Sequence, residues 1–540
     1  MKHIVRSFVA LAILLILSFF MRDLARPGLP MLHDSNPHIS RMIAFHTALE
    51  DGQFPPMWAK EMLGGIGSPV MMLNYQLPYF MTEGLVRMGL SVFDSYKAVL
   101  GLSFVVSGIL MYLALVGKYG HLAAWVGAMI YTLAPYRFVD IFVRGALGES
   151  ISFIFPPLLI YGFLHKSTPI MVLGWAGLFL THPVAAATFS AFFLGYTLMF
   201  GGSHSLTAKL KYFFGPYFVA LAIAMFNLLP TIALTKYTYY DPSLSDTLLM
   251  FPTLNQLISS PWGYGVSLPG TNDGMSFSLG FVAWIILIGG SIWAIVRKDK
   301  LIGYLSTASW LSLLLILPIS LPIYKLFLGQ IIDFPWRLLL CLVFAAAWMG
   351  AMLSSKILDA RFQWGLAALI TLILLGSSLP MAHTNTYWSS DKDTTFFARE
   401  TGDSYGEYAP LTRVTRDSAP FWLRAEFVEG SGEIATINNQ SNRQKYQVLT
   451  ETGGKVRINT AYFPGWNIPD NCQVSKRTLS HIDDSGLIIC EVPRGDSTLE
   501  IKFTTPPVQR VSNLITLLGI GAFIWILFRS FYPPLTSAKR

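Results

Sequence analysis

Apolar residues recur along most of this chain in runs of about 20 residues, separated by short polar breaks, the pattern of transmembrane helices. Twelve spans are predicted, at roughly 4–20, 96–117, 121–137, 150–165, 168–183, 184–200, 212–234, 276–296, 301–320, 335–354, 362–381 and 510–531. With the N-terminus inside, the inner loops hold Lys118 and His121, His165-Lys166, Lys209 and Lys211, Arg297-Lys298-Asp299-Lys300, Lys356 and Arg361, and the tail Lys539-Arg540. Each is basic, as the positive-inside rule requires. The segment Phe8 to Phe20 follows Lys2 and Arg6 like a signal peptide, but Phe20-Met21-Arg22-Asp23 offers no small-residue cleavage site, so a retained first helix is expected.

The pattern changes near residue 383. Residues 383–508 carry 29 charged residues in 126, about 23%, against 13% for the whole chain. Alternating runs such as Lys455-Val456-Arg457-Ile458-Asn459 and Ser497 to Phe503 predict half-buried strands, and Pro464-Gly465 and Ser485-Gly486 predict turns. The expected organisation is a transmembrane domain, 1–382, with a long first outer loop, 21–95. A β-sandwich-like domain outside the cytoplasm, 383–508, and a last span with a cytoplasmic tail, 509–540, follow.

Composition agrees with a membrane protein: 53% of residues are hydrophobic, 13% are charged, and the mean hydropathy is +0.49. The net charge of +8 reads as basic inner loops, and no nucleic-acid motif is present. Cys341 lies in an apolar run and reads as packing. Cys472 and Cys490 either pair, if their domain meets an oxidising compartment, or stay free thiols.

Candidate chemistry starts at Asp34, in His33-Asp34-Ser35-Asn36-Pro37-His38 on the first outer loop. Asn36 and Pro37 look like an N-cap and first-turn proline, and Ile39, Met42, Ile43, His46 and Leu49 continue at helical spacing as an amphipathic helix along the membrane surface. A carboxylate beside that helix start is favoured in its charged form and can deprotonate an attacking hydroxyl; the plainer reading is a loop Asp that caps the helix. His33 and His38 can tune it, help bind a metal or contact substrate. Arg137, Arg144 and Glu149 follow in the next outer loop, and Arg337 lies beside Trp336. Arginine suits phosphate, whereas snorkelling or an Arg144–Glu149 pair would be purely structural. His182, in Thr181-His182-Pro183, and Glu407, in Gly406-Glu407-Tyr408-Ala409-Pro410, complete the set of expected substrate contacts. A divalent metal is compatible with the loop, but no Cys/His spacing demands one.

A long outer loop with an early Asp after the first helix resembles the GT-C class of membrane glycosyltransferases. Several stretches also look like the bacterial membrane proteins described as 6-pyruvoyl-tetrahydropterin-synthase-related and their YfhO-like relatives. These are His33-Asp34 with Pro37 to Arg41, Gly52 to Trp58, Arg144 to Glu149, Thr181-His182-Pro183, Pro335-Trp336-Arg337, Gly406 to Pro410 and Tyr462 to Trp466. The pterin-synthase chemistry does not carry over, because it needs a zinc site and no His cluster supplies one. The resemblance implies a GT-C fold of about twelve transmembrane helices in the bacterial inner membrane, with both termini cytoplasmic and the active site periplasmic. It implies a polyprenyl-phosphate-linked sugar donor and a lipid, glycan or protein acceptor, with Asp34 as the catalytic Asp and Arg144 and Arg337 on the donor phosphate. The chain departs from several GT-C families in having His33-Asp34 where they have two adjacent acids. Without the resemblance, a flippase for a lipid-linked saccharide or an assembly scaffold fits the same composition.

Overall fold

The computed structural model describes residues 2–240, 250–268, 270–389, 408–410, 423–475 and 486–531. Each of the twelve predicted segments is helical. Among the described residues, seven helices are long and apolar enough to cross a membrane, and the count reaches nine if the bent pairs His121–Thr132 with Pro135–Arg144 and Lys300–Ile316 with Pro318–Leu326 each form one span. Ile4–Phe20, Thr168–Thr181 and Phe281–Arg297 are apolar but shorter, so the expected twelve contains three helices below spanning length. The Pro335–Ser355 helix stands at the centre, 89% of its apolar window enclosed, whereas Ala360–Met381 and Pro507–Phe531 are 17% enclosed and turn their faces outward.

Proline explains how the last helix is held. Pro230, inside the Leu206–Leu234 helix, has no N–H for the Phe226 carbonyl one turn earlier. Gln509 Nε2, on the Pro507–Phe531 helix, donates to that carbonyl at 2.7 Å. About two turns further along, Thr516 Oγ1 accepts from the Phe226 N–H at 2.8 Å and donates to the Ala222 carbonyl at 3.2 Å. The carbonyl that Pro230 leaves without its helical donor is thus satisfied by the neighbouring helix.

The first outer loop is helical in part, over Ser35–Glu50, Val70–Leu73 and Leu77–Arg87. The Ser35–Glu50 helix begins before the expected Asn36: Asp34 occupies the N-cap position without a side-chain capping bond, and Pro37 falls in the first turn, where a missing N–H costs nothing. Ile39, Met42 and Phe45 are buried against neighbouring helices.

The strands among the described residues are β1 (Leu29–Pro30), β2 (Tyr387–Trp388), β3 (Ala425–Glu429), β4 (Glu433–Gln440), β5 (Arg443–Thr450), β6 (Gly454–Ala461), β7 (Trp466–Asn467), β8 (Cys472–Val474), β9 (Leu487–Val492) and β10 (Gly495–Phe503). β1 pairs with β2, tying the start of the outer loop to the chain leaving the membrane domain. The others form two antiparallel sheets, ordered β4-β5-β10-β7 and β3-β6-β9-β8. Tyr446, Val448, Leu499, Ile501 and Phe503 of one sheet share a core with Val456, Ile458, Ile488 and Val492 of the other, as the alternating runs predict. Cys472 and Cys490, opposite one another on β8 and β9, form a disulfide, and Cys341 is a buried free thiol.

The sandwich core is completed from the membrane domain. Trp58, fully buried, stacks on Phe503 at 5.4 Å and meets Trp466 edge-on at 5.5 Å. Gln53 Nε2 donates to Ser441 Oγ at 2.6 Å, the Ser441 N–H donates to Asp51 at 2.6 Å, and the Ala461 N–H donates to the Ile66 carbonyl at 2.9 Å. Trp58→Ala should therefore weaken the join by about 3–5 kcal/mol. Limited proteolysis of purified protein should cut between the membrane domain and the sandwich sooner than in wild type, while the Pro335–Ser355 helix stays protected.

Candidate functional site

The stretch Arg144-Gly145-Ala146-Leu147-Gly148-Glu149 works because of its two glycines. Gly145 has φ 65, in the left-handed region. A Cβ there would also strike Tyr96 Oη and come within 2.8 Å of Leu32 Cδ1. At Gly148 a Cβ would lie 2.5 Å from the Thr181 carbonyl oxygen and 2.6 Å from Tyr75 Cζ. Leu32, Tyr75, Tyr96 and Thr181, from four other places in the chain, are thereby admitted to close contact. The preceding residues, Val139–Arg144, take a π-helical turn that places Asp140 and Arg144 together.

Glu149, 1% exposed, is the centre of the resulting cluster. Arg144 Nη1 donates to it at 2.7 Å and to Asp140 at 2.6 Å. Tyr136 Oη donates to its other oxygen. His182 caps the Pro183–Phe200 helix by accepting the Ala185 N–H on Nδ1 at 3.2 Å, which leaves Nε2 to carry the proton, 3.8 Å from Glu149. Arg337 Nε lies 3.6 Å from Glu149, and Arg337 Nη1 pairs with Asp333. The adjacent Trp336 ring lies 4.6 Å from the Arg144 guanidinium, so Pro335-Trp336-Arg337 serves both arginines.

Asp34 is docked to this cluster through the backbone. The His33 N–H donates to the Val143 carbonyl at 3.1 Å and the Asp34 N–H to the Arg144 carbonyl at 2.8 Å. The Asp34 carboxylate is half-buried and accepts no hydrogen bond among the described residues. It lies in the electrostatic field of Arg144. His33 Nε2 is 3.1 Å from the Tyr264 carbonyl.

His38 sits one helical turn behind Asp34 and is buried. Its Nε2 accepts the Leu147 N–H at 3.4 Å, so Nδ1 carries the proton and donates to Tyr79 Oη at 3.0 Å. Burial, helped by the charges of Arg41 and Arg144, lowers its pKa from 6.5 to about 3. Tyr79 stacks on Tyr75 at 6.2 Å, and burial raises both hydroxyls, with Asp34 adding to the rise and Arg41 opposing it.

The structure thus brings His33, Asp34, Arg144, Glu149, His182 and Arg337 together. His38 and Arg137, expected at the substrate, lie behind them. Arg137 is fully buried, stacked 3.9 Å over Phe153, and donates to the Ser150 carbonyl at 3.3 Å. Glu407 and the tail Lys539-Arg540 lie outside the described residues. Tyr408, next to Glu407, lies 5.8 Å from the Arg41 guanidinium. Sequence reading missed Tyr75 and Tyr79, whose spacing of four in Tyr75-Gln76-Leu77-Pro78-Tyr79 was the available signal, and also Tyr136 and Asp333. Among the described residues no group of three or more His, Cys, Asp or Glu side chains is arranged to hold a metal ion.

No family model matches the chain. No curated protein matches it either. Among solved structures, it is similar to the arabinofuranosyltransferase AftD from Mycobacteria, determined by cryo-EM, with 15% identity, a TM-score of 0.43, and coverage of 70% of this chain and 26% of that one. A mutant form of the same enzyme gives 14% identity, a TM-score of 0.40, and coverage of 69% and 27%. The chain therefore spans about a quarter of the length of these neighbours.

Two outcomes test this geometry. Glu149→Ala removes the carboxylate that Arg144 and Arg337 share, leaving Arg144 with Asp140 and Arg337 with Asp333 in a buried setting, and should cost about 3 kcal/mol, read as a fall in thermal midpoint in detergent. As pH falls below 6.5 the unfolded chain takes up a proton that folded His38 refuses down to about 3, so folding stability drops by at most about 1.4 kcal/mol per pH unit over that window. The wild-type midpoint should fall on acidification, and the slope should flatten in His38→Gln; identical slopes would contradict a neutral buried His38.

Proposed function

We propose that this protein is a membrane glycosyltransferase of the GT-C type. It moves a sugar from a polyprenyl-phosphate donor to an acceptor outside the cytoplasm by a single inverting displacement. The observation that carries the reading is the half-buried Asp34 carboxylate, free of hydrogen bonds among the described residues, fixed by its backbone to the loop that carries Arg144 and Glu149. A carboxylate used only as a cap would be engaged with the helix N–H groups; this one is not.

In the proposed step, Asp34 takes the proton of the acceptor hydroxyl as its oxygen bonds to the anomeric carbon, and the bond from that carbon to the donor phosphate breaks. The phosphate keeps the electron pair. One negative charge thereby moves from Asp34 to the phosphate. Arg144 and Arg337 lower the barrier insofar as they stand nearer to the phosphate than to Asp34. The named side chains start in formal balance, with Arg41, Arg137, Arg144 and Arg337 against Asp34, Asp140, Glu149 and Asp333. Glu149 acts by holding both arginines in place, and His38 and Arg137 act as positioning residues. His33, His182 and Glu407 remain assigned to substrate contact. The prenyl chain and membrane lipids would lie along the apolar helix faces.

The Cys472–Cys490 disulfide supports a sandwich outside the cytoplasm, because such bonds persist in oxidising compartments. Together with the basic inner loops it favours a bacterial inner-membrane enzyme with cytoplasmic termini and a periplasmic site.

The test compares surface glycans and glycolipids of a deletion strain by mass spectrometry after complementation. Asp34→Asn is nearly isosteric and breaks no side-chain bond, so the variant should accumulate normally. Transfer should fall at least about 100-fold, so that wild type alone restores the missing sugar mass. Full restoration by Asp34→Asn would remove the base and with it the reading.

A further inference from the structure

Two apolar helical stretches meet at a sharp corner ahead of Arg337. The Lys300–Ile316 helix leaves the charged turn Arg297-Lys298-Asp299-Lys300 and stops at Leu317, which is extended, with φ −82 and ψ 153, as the residue before Pro318. The next stretch, Pro318–Leu326, sets off at 80° to it. A helix of 17 residues rises about 25 Å, whereas the hydrocarbon core of a bilayer is about 30 Å thick. Measured from the charged turn at one boundary, the chain therefore turns about 5 Å before the other, and helix tilt adds to the shortfall. Beyond the corner it runs along the membrane plane, at the depth where interfacial helices lie.

The two sides of this strap, residues 318–331, differ. Ser320 and Tyr324 are buried on one side: Ser320 Oγ lies 2.8 Å from the Leu315 and Leu317 carbonyls, and Tyr324 meets Phe251 edge-on at 5.1 Å. Outward stand Ile319, Ile323, Leu326, Phe327 and Ile331, each between 40% and 77% exposed. Five large apolar side chains turned outward within 13 residues are more than a water-facing loop keeps. Hydrocarbon is the occupant that fits. The strap lies at hydrocarbon depth, it continues directly from the exposed Leu311 and Leu314 of an apolar span, and Lys325 is exposed on the same turn, long enough to reach a headgroup phosphate. After the strap, buried Ile332 brings the chain back to the protein at Asp333, which pairs with Arg337. We propose that residues 318–331 are embedded in the leaflet on the Arg337 side, with lipid acyl chains covering their apolar side, and that this seat fixes the height of Arg337 against the membrane. The seat stands on the strap alone; its value to catalysis rests on the glycosyltransferase reading.

The test uses the full-length protein in phosphatidylcholine vesicles, with a bimane fluorophore on one introduced cysteine. The native cysteines do not compete, because Cys341 is buried and Cys472 and Cys490 are paired. Brominated phosphatidylcholine quenches from the bilayer and iodide from water. Labels at Leu326→Cys and Ile319→Cys should be quenched by bromolipid to within about twofold of Ile292→Cys, on the exposed face of the Phe281–Arg297 helix, and at least about threefold more than Leu449→Cys, on the outside of the sandwich. All four replaced side chains are exposed, so the fold should survive each change. Iodide quenching at 319 and 326 that matches Leu449→Cys overturns the seat. So does shielding from both quenchers, which would mean that protein covers the strap. The link to Arg337 is read in cells: Ile323→Glu with Leu326→Glu puts two charges into hydrocarbon and should cut glycan restoration at least about tenfold at normal protein level, while Leu326→Ile restores it. Full restoration by the double variant, with Asp34→Asn inactive, overturns that link. Full restoration by Asp34→Asn removes the glycosyltransferase reading instead, and the quenching result decides the seat either way.

Discussion

A single buried carboxylate organises the membrane half of this molecule. Glu149 is enclosed where an unpartnered charge is prohibitively costly, and Arg144, Tyr136, His182 and Arg337 converge on it. These residues come from three separate stretches of chain. Satisfying one acid therefore fixes the relative positions of the Leu147–Ser152 helix, the start of the Pro183–Phe200 helix and the start of the central Pro335–Ser355 helix. Asp34 joins the same frame through the carbonyl of Arg144. Glu149 is saturated and holds geometry, while the Asp34 carboxylate accepts no hydrogen bond among the described residues.

Much of this was legible in the sequence, for identifiable reasons. Apolar runs and basic loops report directly on burial in a membrane, so all twelve segments fall on helices, although three are too short to span. The sandwich strands showed as alternation, because each sheet is buried on one face. Arg144, Glu149, His182 and Arg337 stood out as charged or polar groups at helix ends, where burial needs a reason. Their convergence did not show, because it depends on Gly145 and Gly148 admitting Leu32, Thr181 and Tyr75 at distances no side chain would allow.

The roles of His38 and Arg137 illustrate the other limit. Both lie within motif stretches that looked like substrate contacts, yet both are buried behind the site. Residue type and spacing reveal that a polar group is employed; they do not reveal whether its partner is a ligand or a backbone amide, as with the Leu147 N–H on His38. Tyr79 was overlooked for the converse reason, since an aromatic residue in a hydrophobic loop reads as packing until its hydroxyl is seen to accept from histidine.

The insertion of Trp58 into the sandwich core has a consequence for biogenesis. The stretch that follows the Asp34 helix finds its partners at Ser441, Trp466 and Phe503, and the Gln53–Ser441 contact alone spans 388 residues of chain. At roughly 5–20 residues per second of synthesis, the stretch around Trp58 waits about 20–80 s before those partners are made. During that interval Trp58 and its neighbours are an exposed apolar surface in need of shielding. The Gln53 to Trp58 stretch thus reaches its final packing late, although it is translated near the beginning.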